Sequence, residues 1–242
     1  MPTWDFTADF EEGDTTDFTA VVATPTASTG SVKNGTYGCE FTASGATSEH
    51  GYFAWGALSA DVGITWECWF DPNGTTPLAE SNIGLLALDS TFAAIRVRVR
   101  VLLSGSQYSV RLLVTKDDAT LVGTSYVNIT DDYNNHIRVT WRAATGAGNN
   151  DGYGYIFVNE TAWAGTTGVD NDTHTVGAAS FGYPGGVAGN SGTLYMDDCT
   201  VADVVEHAVS NSGTLTTAGA ITKLTAKTFA GIKQAAGDYM KL

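Results

Sequence analysis

Gly192-Thr-Leu-Tyr-Met-Asp-Asp-Cys-Thr-Val201 is the stretch on which the fold turns. Leu194 and Met196 alternate with Tyr195, and strict period-two alternation puts Val201 on the face of Tyr195, the pattern of a β-strand. Two adjacent carboxylates, Asp197 and Asp198, stand in its middle. Asp is depleted in strands and its charge is costly to bury unpaired, so the pair needs a reason. Near the other end of the chain lies a second acidic stretch, Phe10-Glu-Glu-Gly-Asp14. Bringing the two together ties the first strand to the last and closes a sandwich. Glu11, Glu12, Asp197 and Asp198 would then form an oxygen-rich site for a hard cation such as Ca²⁺. The plainer alternative is that one Asp caps a turn and the other acids are solvated.

Working outward, the same alternation recurs along the chain. Trp4, Phe6, Ala8 and Phe10 alternate with Asp5, Thr7 and Asp9, marking a half-buried first strand. Further strands are expected at Ala20–Thr24, Tyr37–Phe41, Gly51–Trp55, Ile64–Phe70, Gly84–Leu88, Val127–Ile129, Ile137–Ala143, Tyr153–Asn159 and Val176–Tyr183. Ala94–Leu103 and Tyr108–Thr115 read as a hairpin around Ser104-Gly-Ser106. Pro25–Gly35 and Glu160–Gly168 read as loops of small and polar residues. About a dozen strands with Gly-rich turns and no convincing helix predict an all-β, two-sheet antiparallel sandwich.

Composition narrows the function classes. The 242 residues are 43% hydrophobic, enough for one large all-β core. The net charge of −14 repels nucleic acid and anionic lipid, so neither is an expected partner. No apolar run reaches the roughly 20 residues of a membrane helix. Met1–Phe6 has no basic region or apolar core of a secretory signal, which predicts synthesis in a cytoplasm. Cys39, Cys68 and Cys199 lie inside strand-like runs and read as small buried hydrophobes rather than a disulfide framework.

At this point a set of motifs, in order, carries a family resemblance: Gly35-Thr-Tyr37, Phe41, Thr65-Trp-Glu-Cys-Trp-Phe70, His136-Ile-Arg-Val-Thr-Trp141, Tyr155-Ile-Phe-Val-Asn159, Val176-Gly177 and Tyr195-Met-Asp-Asp-Cys-Thr-Val201. Over residues 4–204 the chain resembles the laminin-G/concanavalin A-like jelly-roll domains. The resemblance implies two curved antiparallel sheets of six or seven strands. In carbohydrate-binding jelly rolls a Phe-Glu start and an Asp-Asp end supply Ca²⁺ ligands, which the four acids above match. Lectins, carbohydrate-binding modules, adhesive domains and virion proteins share the fold, so function must come from the site.

The chain divides into a jelly-roll domain (1–204), a linker (205–212) and a repetitive tail (213–242). Four lysines against Asp238 make the tail +3, leaving −17 on the rest. Gly213–Leu224 aligns with Gly231–Leu242, and a unit this short must dock its apolar face elsewhere. Leu215, Ile221, Leu224 and Ile232 are its expected contacts. The phrase Gly-Thr-Leu-Thr-Thr-Ala-Gly-Ala resembles C-terminal repeats appended to jelly-roll domains in tailed-phage structural proteins.

No catalytic pattern stands out. A glycosidase needs two carboxylates flanking a bond; the Glu-X-Asp-X-X-Glu strand of the laminarinase-like members is missing, and Glu67 stands alone. His50, His136, His174 and His207 are isolated in sequence. Trp163, Tyr153 and Tyr183 lie near predicted loops and are candidates to stack on sugar rings. Arg96, Arg98 and Arg100 share one strand face, and the hairpin sets Arg100 opposite Arg111. Like charges so opposed need an anion: either acids of the neighbouring strand, or an acidic surface of another subunit or an anionic glycan. The expectation is a non-enzymatic virion protein of a tailed phage, a capsid decoration or other surface component in a homo-oligomer with other virion subunits, made in the host cytoplasm. The alternative is an adhesin binding a cell-surface glycan. A glycoside hydrolase comes third.

Overall fold

A computed structural model describes residues 5–44, 48–56, 63–77, 80–185 and 190–203. In chain order the strands are β1 (Asp5–Ala8), β2 (Ala20–Val22), β3 (Thr26–Ser28), β4 (Gly38–Ser44), β5 (Glu49–Ala54), β6 (Ile64–Asp71), β7 (Ser81–Ala87) and β8 (Ile95–Ser104). They continue with β9 (Gln107–Thr115), β10 (Leu121–Gly123), β11 (Val127–Ile129), β12 (Asn135–Arg142), β13 (Gly152–Val158), β14 (Ala162–Val169), β15 (Ala178–Tyr183) and β16 (Ser191–Asp203). The described residues contain no helix, and so none that could cross a membrane; that says nothing of β-barrels. Two eight-stranded antiparallel sheets form the jelly-roll sandwich. The first runs β14-β13-β12-β6-β16-β4-β3 with β1 beside β16; the second runs β10-β9-β8-β7-β15-β5-β2 with β11 beside β9.

The sheets face each other across one apolar core. Trp66 of β6 stacks on Phe181 of β15, ring centroids 4.8 Å apart and 11° from coplanar. Its indole N–H donates to the Ser180 carbonyl at 3.1 Å, so its one polar atom is satisfied inside the core. The indole lies against Gly84 so closely that a Cβ there would come within 2.5 Å of it. Glycine is therefore required at that contact. The three cysteines are free and buried, as their apolar settings predict.

Strand β16 closes the sandwich. Its inward half pairs with β4 (Leu194 opposite Phe41), and its outward half pairs with β1 (Ala8 opposite Cys199) along the same edge. β6 lies along the other edge. First and last strands are thus joined, as the acidic stretches predict. A bulge at Asp197–Asp198, with Asp198 at φ +48°, marks the change of partner. It inserts an extra residue, so the inward phase slips by one. Leu194, Met196, Cys199 and Val201 all face the core, which corrects the reading that Val201 shares the face of Tyr195.

Two strands read as loops belong to the sheets. β3 lies within Pro25–Gly35, and β14 occupies most of Glu160–Gly168. Both are edge strands rich in Gly, Thr, Ala or Ser. They borrow pairing from a neighbour rather than announcing it by their own side chains. The expectation of six or seven strands per sheet is accordingly too low.

Candidate functional site

The outer face of the β12–β13–β14 edge carries the largest set of outward aromatic rings. Gly152, Gly154, Ile156 and Val158 of β13 turn inward, which leaves Tyr153, Tyr155 and Phe157 on the outside. Their centroids are 5.4 Å apart (Tyr153–Tyr155) and 6.3 Å apart (Tyr155–Phe157). Trp163 of β14 stands opposite Phe157 and meets Tyr155 edge-on at 6.0 Å. It is 55% exposed, the most exposed large apolar side chain among the described residues. Tyr155 lies over Gly165, where any Cβ would come within 2.2 Å of the ring. The small residues of β14 thus make room for the ring of its neighbour.

Cations lie on these rings. The Arg138 guanidinium is 4.9 Å from the Phe157 centroid, and that of Arg142 is 5.2 Å from Tyr153. Farther across the sheet Lys33 sits 4.5 Å from the Trp69 ring, and Trp69 packs against His136 at 4.9 Å. Acids are interleaved: Glu160 binds Arg138 at 2.5 Å, and Glu160 and Glu67 lie 3.7 and 3.8 Å from the two nitrogens of His136. Tyr153 and Trp163, picked out in sequence, do share this face. Tyr183 does not: it is 3% exposed in the core, and burial pushes its hydroxyl up to about 12. Tyr155, Phe157, Arg138 and Arg142 were missed. Their signal was the outward phase of β13 and its register with β12, Arg138 to Phe157 and Arg142 to Tyr153.

The four acids expected around a cation do different work. Asp197, fully buried, accepts the backbone N–H groups of Lys33 (2.8 Å) and Asn34 (2.9 Å) through one oxygen and that of Asp198 (2.8 Å) through the other. Burial pushes its carboxyl up to about 6, against the downward pull of the Asn34 and Lys33 amides. Asp198 accepts from the Asn34 carboxamide. Glu11 takes the N–H groups of Thr36 (2.8 Å) and Tyr37 (3.2 Å), which hold its carboxyl below the usual range. The segment after β1 and strand β16 therefore both clamp the loop 31–37, at the point where β16 trades β4 for β1. Glu12 lies instead with Asp9 and Asp17. The second acidic group among the described residues is Asp117, Asp170 and Asp172, near His174.

The arginine stripe lies on the other sheet. Arg100 is indeed opposite Arg111, and Leu103 opposite Tyr108. The anion between the arginines is Glu80, 3.0 Å from Arg100 and in direct contact with Arg111. Tyr126 donates to its second oxygen, and Arg111 lies 4.9 Å over the Tyr126 ring. Arg98 donates to the Thr115 hydroxyl at 3.3 Å, and burial and Arg100 both lower its pKa. Arg96 has Asp117 as its nearby acid. The tail contacts Leu215, Ile221, Leu224 and Ile232, with the linker, lie outside the described residues.

Comparison with known proteins finds likeness only to solved structures of low identity and limited overlap. No family model and no curated protein matches the chain. Among solved structures, an alginate lyase from Alteromonas sp. 272 matches at 10% identity over 66% of this chain and 80% of the lyase, with a TM-score of 0.42. The Emp47p carbohydrate recognition domain matches at 9% identity over 74% and 88%, TM-score 0.41. The binding domain of Paraclostridial mosquitocidal protein 1 matches at 11% over 76% of this chain and 43% of that one, TM-score 0.47. At these identities the likeness is one of fold alone. No sequence match supports the resemblance of the C-terminal repeat to tailed-phage proteins.

Proposed function

We propose that the chain is a non-enzymatic glycan-binding module whose contact surface is the Tyr153–Tyr155–Phe157–Trp163 face. The observation that carries this reading is Trp163, 55% exposed at the end of a continuous row of outward rings. A soluble domain gains nothing in stability from such a ring, while a sugar gains a flat apolar platform. The rigid sheet beneath fixes the rings before binding, which lowers the entropic cost of association. Arg138, Arg142, Glu67 and Glu160 border the rings with donors and acceptors for hydroxyl or carboxylate groups.

A glycan array probed with the full chain and with Trp163→Ala tests this reading. The parent is expected to bind a restricted set of glycans, and Trp163→Ala to lose them with its melting temperature unchanged. Equal binding by both would remove the face from the function. Release of reducing or unsaturated ends from a bound glycan would overturn the non-enzymatic part. The setting we infer is the surface of a tailed-phage particle. It rests on the sequence resemblance of the C-terminal repeat, and immunogold labelling of purified particles with an antibody to the chain tests it. Calcium binding by the acids around loop 31–37 belongs to the same proposal and is tested by chelation below.

A further inference from the structure

Next to the aromatic face the sandwich ends in a cavity of about 310 Å³. Chain continuity joins the two: Asn134 and Asn135 line the cavity and His136 stands on the face; Val158 and Asn159 line it and Glu160 stands on the face. The volume lies at the low end of small-ligand sites, about 300–1,000 Å³.

The wall is unusual in its chemistry. Its apolar part is Ile129 and Val158; most of the rest is amide and hydroxyl. The Asn159 side-chain oxygen accepts the His136 N–H at 2.8 Å, which fixes the orientation of the carboxamide. Its –NH₂ has no acceptor among the described residues. The Asn128 oxygen accepts the Ser109 hydroxyl at 3.0 Å, and again the –NH₂ is left over. Gln107 spends its –NH₂ on the Tyr108 and Ile129 carbonyls at 2.6 and 2.8 Å, leaving its oxygen as an acceptor. Two donors and one acceptor thus remain unspent. The single carboxylate, Asp132, is consumed within its own turn by Thr130 and by the backbone and side chain of Asn134. No Arg or Lys lines the cavity.

We propose that this cavity is a second subsite, which takes one uncharged, hydroxyl-rich sugar unit of the glycan whose neighbouring units lie on the aromatic face. The inference rests on the glycan-binding reading. A sugar hydroxyl both donates and accepts, matching the mixed amide set. A carboxylated sugar finds no cation in the wall, the ammonium of Lys33 being spent on the Asn134 oxygen (3.4 Å) and the Trp69 ring, and a cationic one finds the Asp132 carboxylate already occupied. Ile129 and Val158 supply the apolar contact that a pyranose C–H face needs.

The test uses the full chain, with cellohexaose, xylohexaose and mannohexaose as neutral probes and hexagalacturonate as an acidic one. Affinity is read by calorimetry for the parent, for Asn128→Ala/Asn159→Gly and for Trp163→Ala. Glycine keeps the left-handed backbone of position 159, φ +52°. At least one neutral hexaose is expected to bind the parent, and the double variant to bind it about tenfold more weakly or worse, the loss of two hydrogen bonds. An independent readout avoids any folding defect of the variants: the side-chain amide resonances of Asn128 and Asn159 in the parent should shift on titration with that hexaose. Parent-like affinity in the double variant together with unmoved amide signals overturns the subsite, while weakened binding by Trp163→Ala keeps the face. Larger amide shifts with hexagalacturonate than with any neutral probe overturn the assignment to an uncharged sugar. If no hexaose binds, or Trp163→Ala binds like the parent, the reading of the face fails and the subsite with it.

Discussion

Both sheets carry arginines on their outer faces, and the two faces use them differently. On the β7–β9 face, Arg100 and Arg111 are drawn together onto one acid, Glu80, which Tyr126 also caps. Both of these charges meet an acid within the chain. On the β12–β14 face, Arg138 and Arg142 spread over aromatic rings, and Trp163 is left open. The lesson is that a row of alternating arginines does not by itself make a binding surface. What separates the two faces is that a single acid bridges two opposed arginines on the first, whereas on the second each arginine has its own acid, Glu160 or Asp151, and lies over a ring.

The largest expected effect breaks the closed face. Glu80→Ala leaves two arginines opposed across β8 and β9 with no anion. With Glu80 15% exposed and the arginines about 25%, the pair lies between surface and buried ion pairs. The expected loss is on the order of 3 kcal/mol in urea denaturation. Tyr126, Arg111 and Arg100 hold the Glu80 carboxyl below its ordinary value of 4.5, against the upward push of burial. Because the folded value is depressed, this stabilisation is complete above about 4.5 and is lost as the pH falls from there through the folded value. If Glu80→Ala has the stability of the parent, the face is not held by this acid.

A second chain-internal acid gives the next effect. Asp197→Ala strands the N–H groups of Lys33, Asn34 and Asp198 and should cost about 2 kcal/mol. The pH dependence runs opposite to that of Glu80. With its folded value pushed up to about 6, Asp197 holds a proton that the unfolded chain, with its value near 3.8, has released. Its contribution therefore grows as the pH falls from about 6 to 4 and is lost as the pH rises. Denaturation curves of the parent and Asp197→Ala across that window should differ in slope with this sign; parallel curves would refute it.

Removing a cation from the open face should matter less. Arg138→Ala loses a cation–π contact and an ion pair whose acid, Glu160, is half exposed and screened by solvent, together about 1 kcal/mol. A loss as large as that of Glu80→Ala would mean that the two faces are built alike. The smallest effect expected is from chelation. Glu11 and Asp197 already grip loop 31–37 through amide hydrogens, so stripping Ca²⁺ from these acids with EDTA should lower the melting temperature only slightly, a fall reversed by added Ca²⁺. A melting temperature unchanged by EDTA would refute calcium binding at that loop.

Much of the architecture was legible in residue patterns because period-two alternation is local. It located the core strands and the hairpin whose register sets Arg100 against Arg111, and it joined the two ends of the chain. Of the outward rings it found Tyr153 and Trp163, but it placed Tyr183 with them, since a tyrosine in a strand reads the same whether it points out or in. The strand β14 escaped notice because Gly165 and its small neighbours carry no pattern; they are there to receive the Tyr155 ring.

What the chain order alone determined is the class: an acidic all-β sandwich in which the first strand joins the strand that carries Asp197 and Asp198. The rest was decided by tertiary structure, because it depends on contacts between residues far apart in sequence. The bulge at Asp197–Asp198 arises where β16 exchanges β4 for β1, and it returns Val201 to the core against the simple alternation. Asp197 is held by the amides of Lys33 and Asn34, 164 and 163 residues away. Glu80 reaches arginines 20 and 31 positions distant and silences them. Each outcome is a competition for one charged group, and only the folded chain shows which partner arrives first.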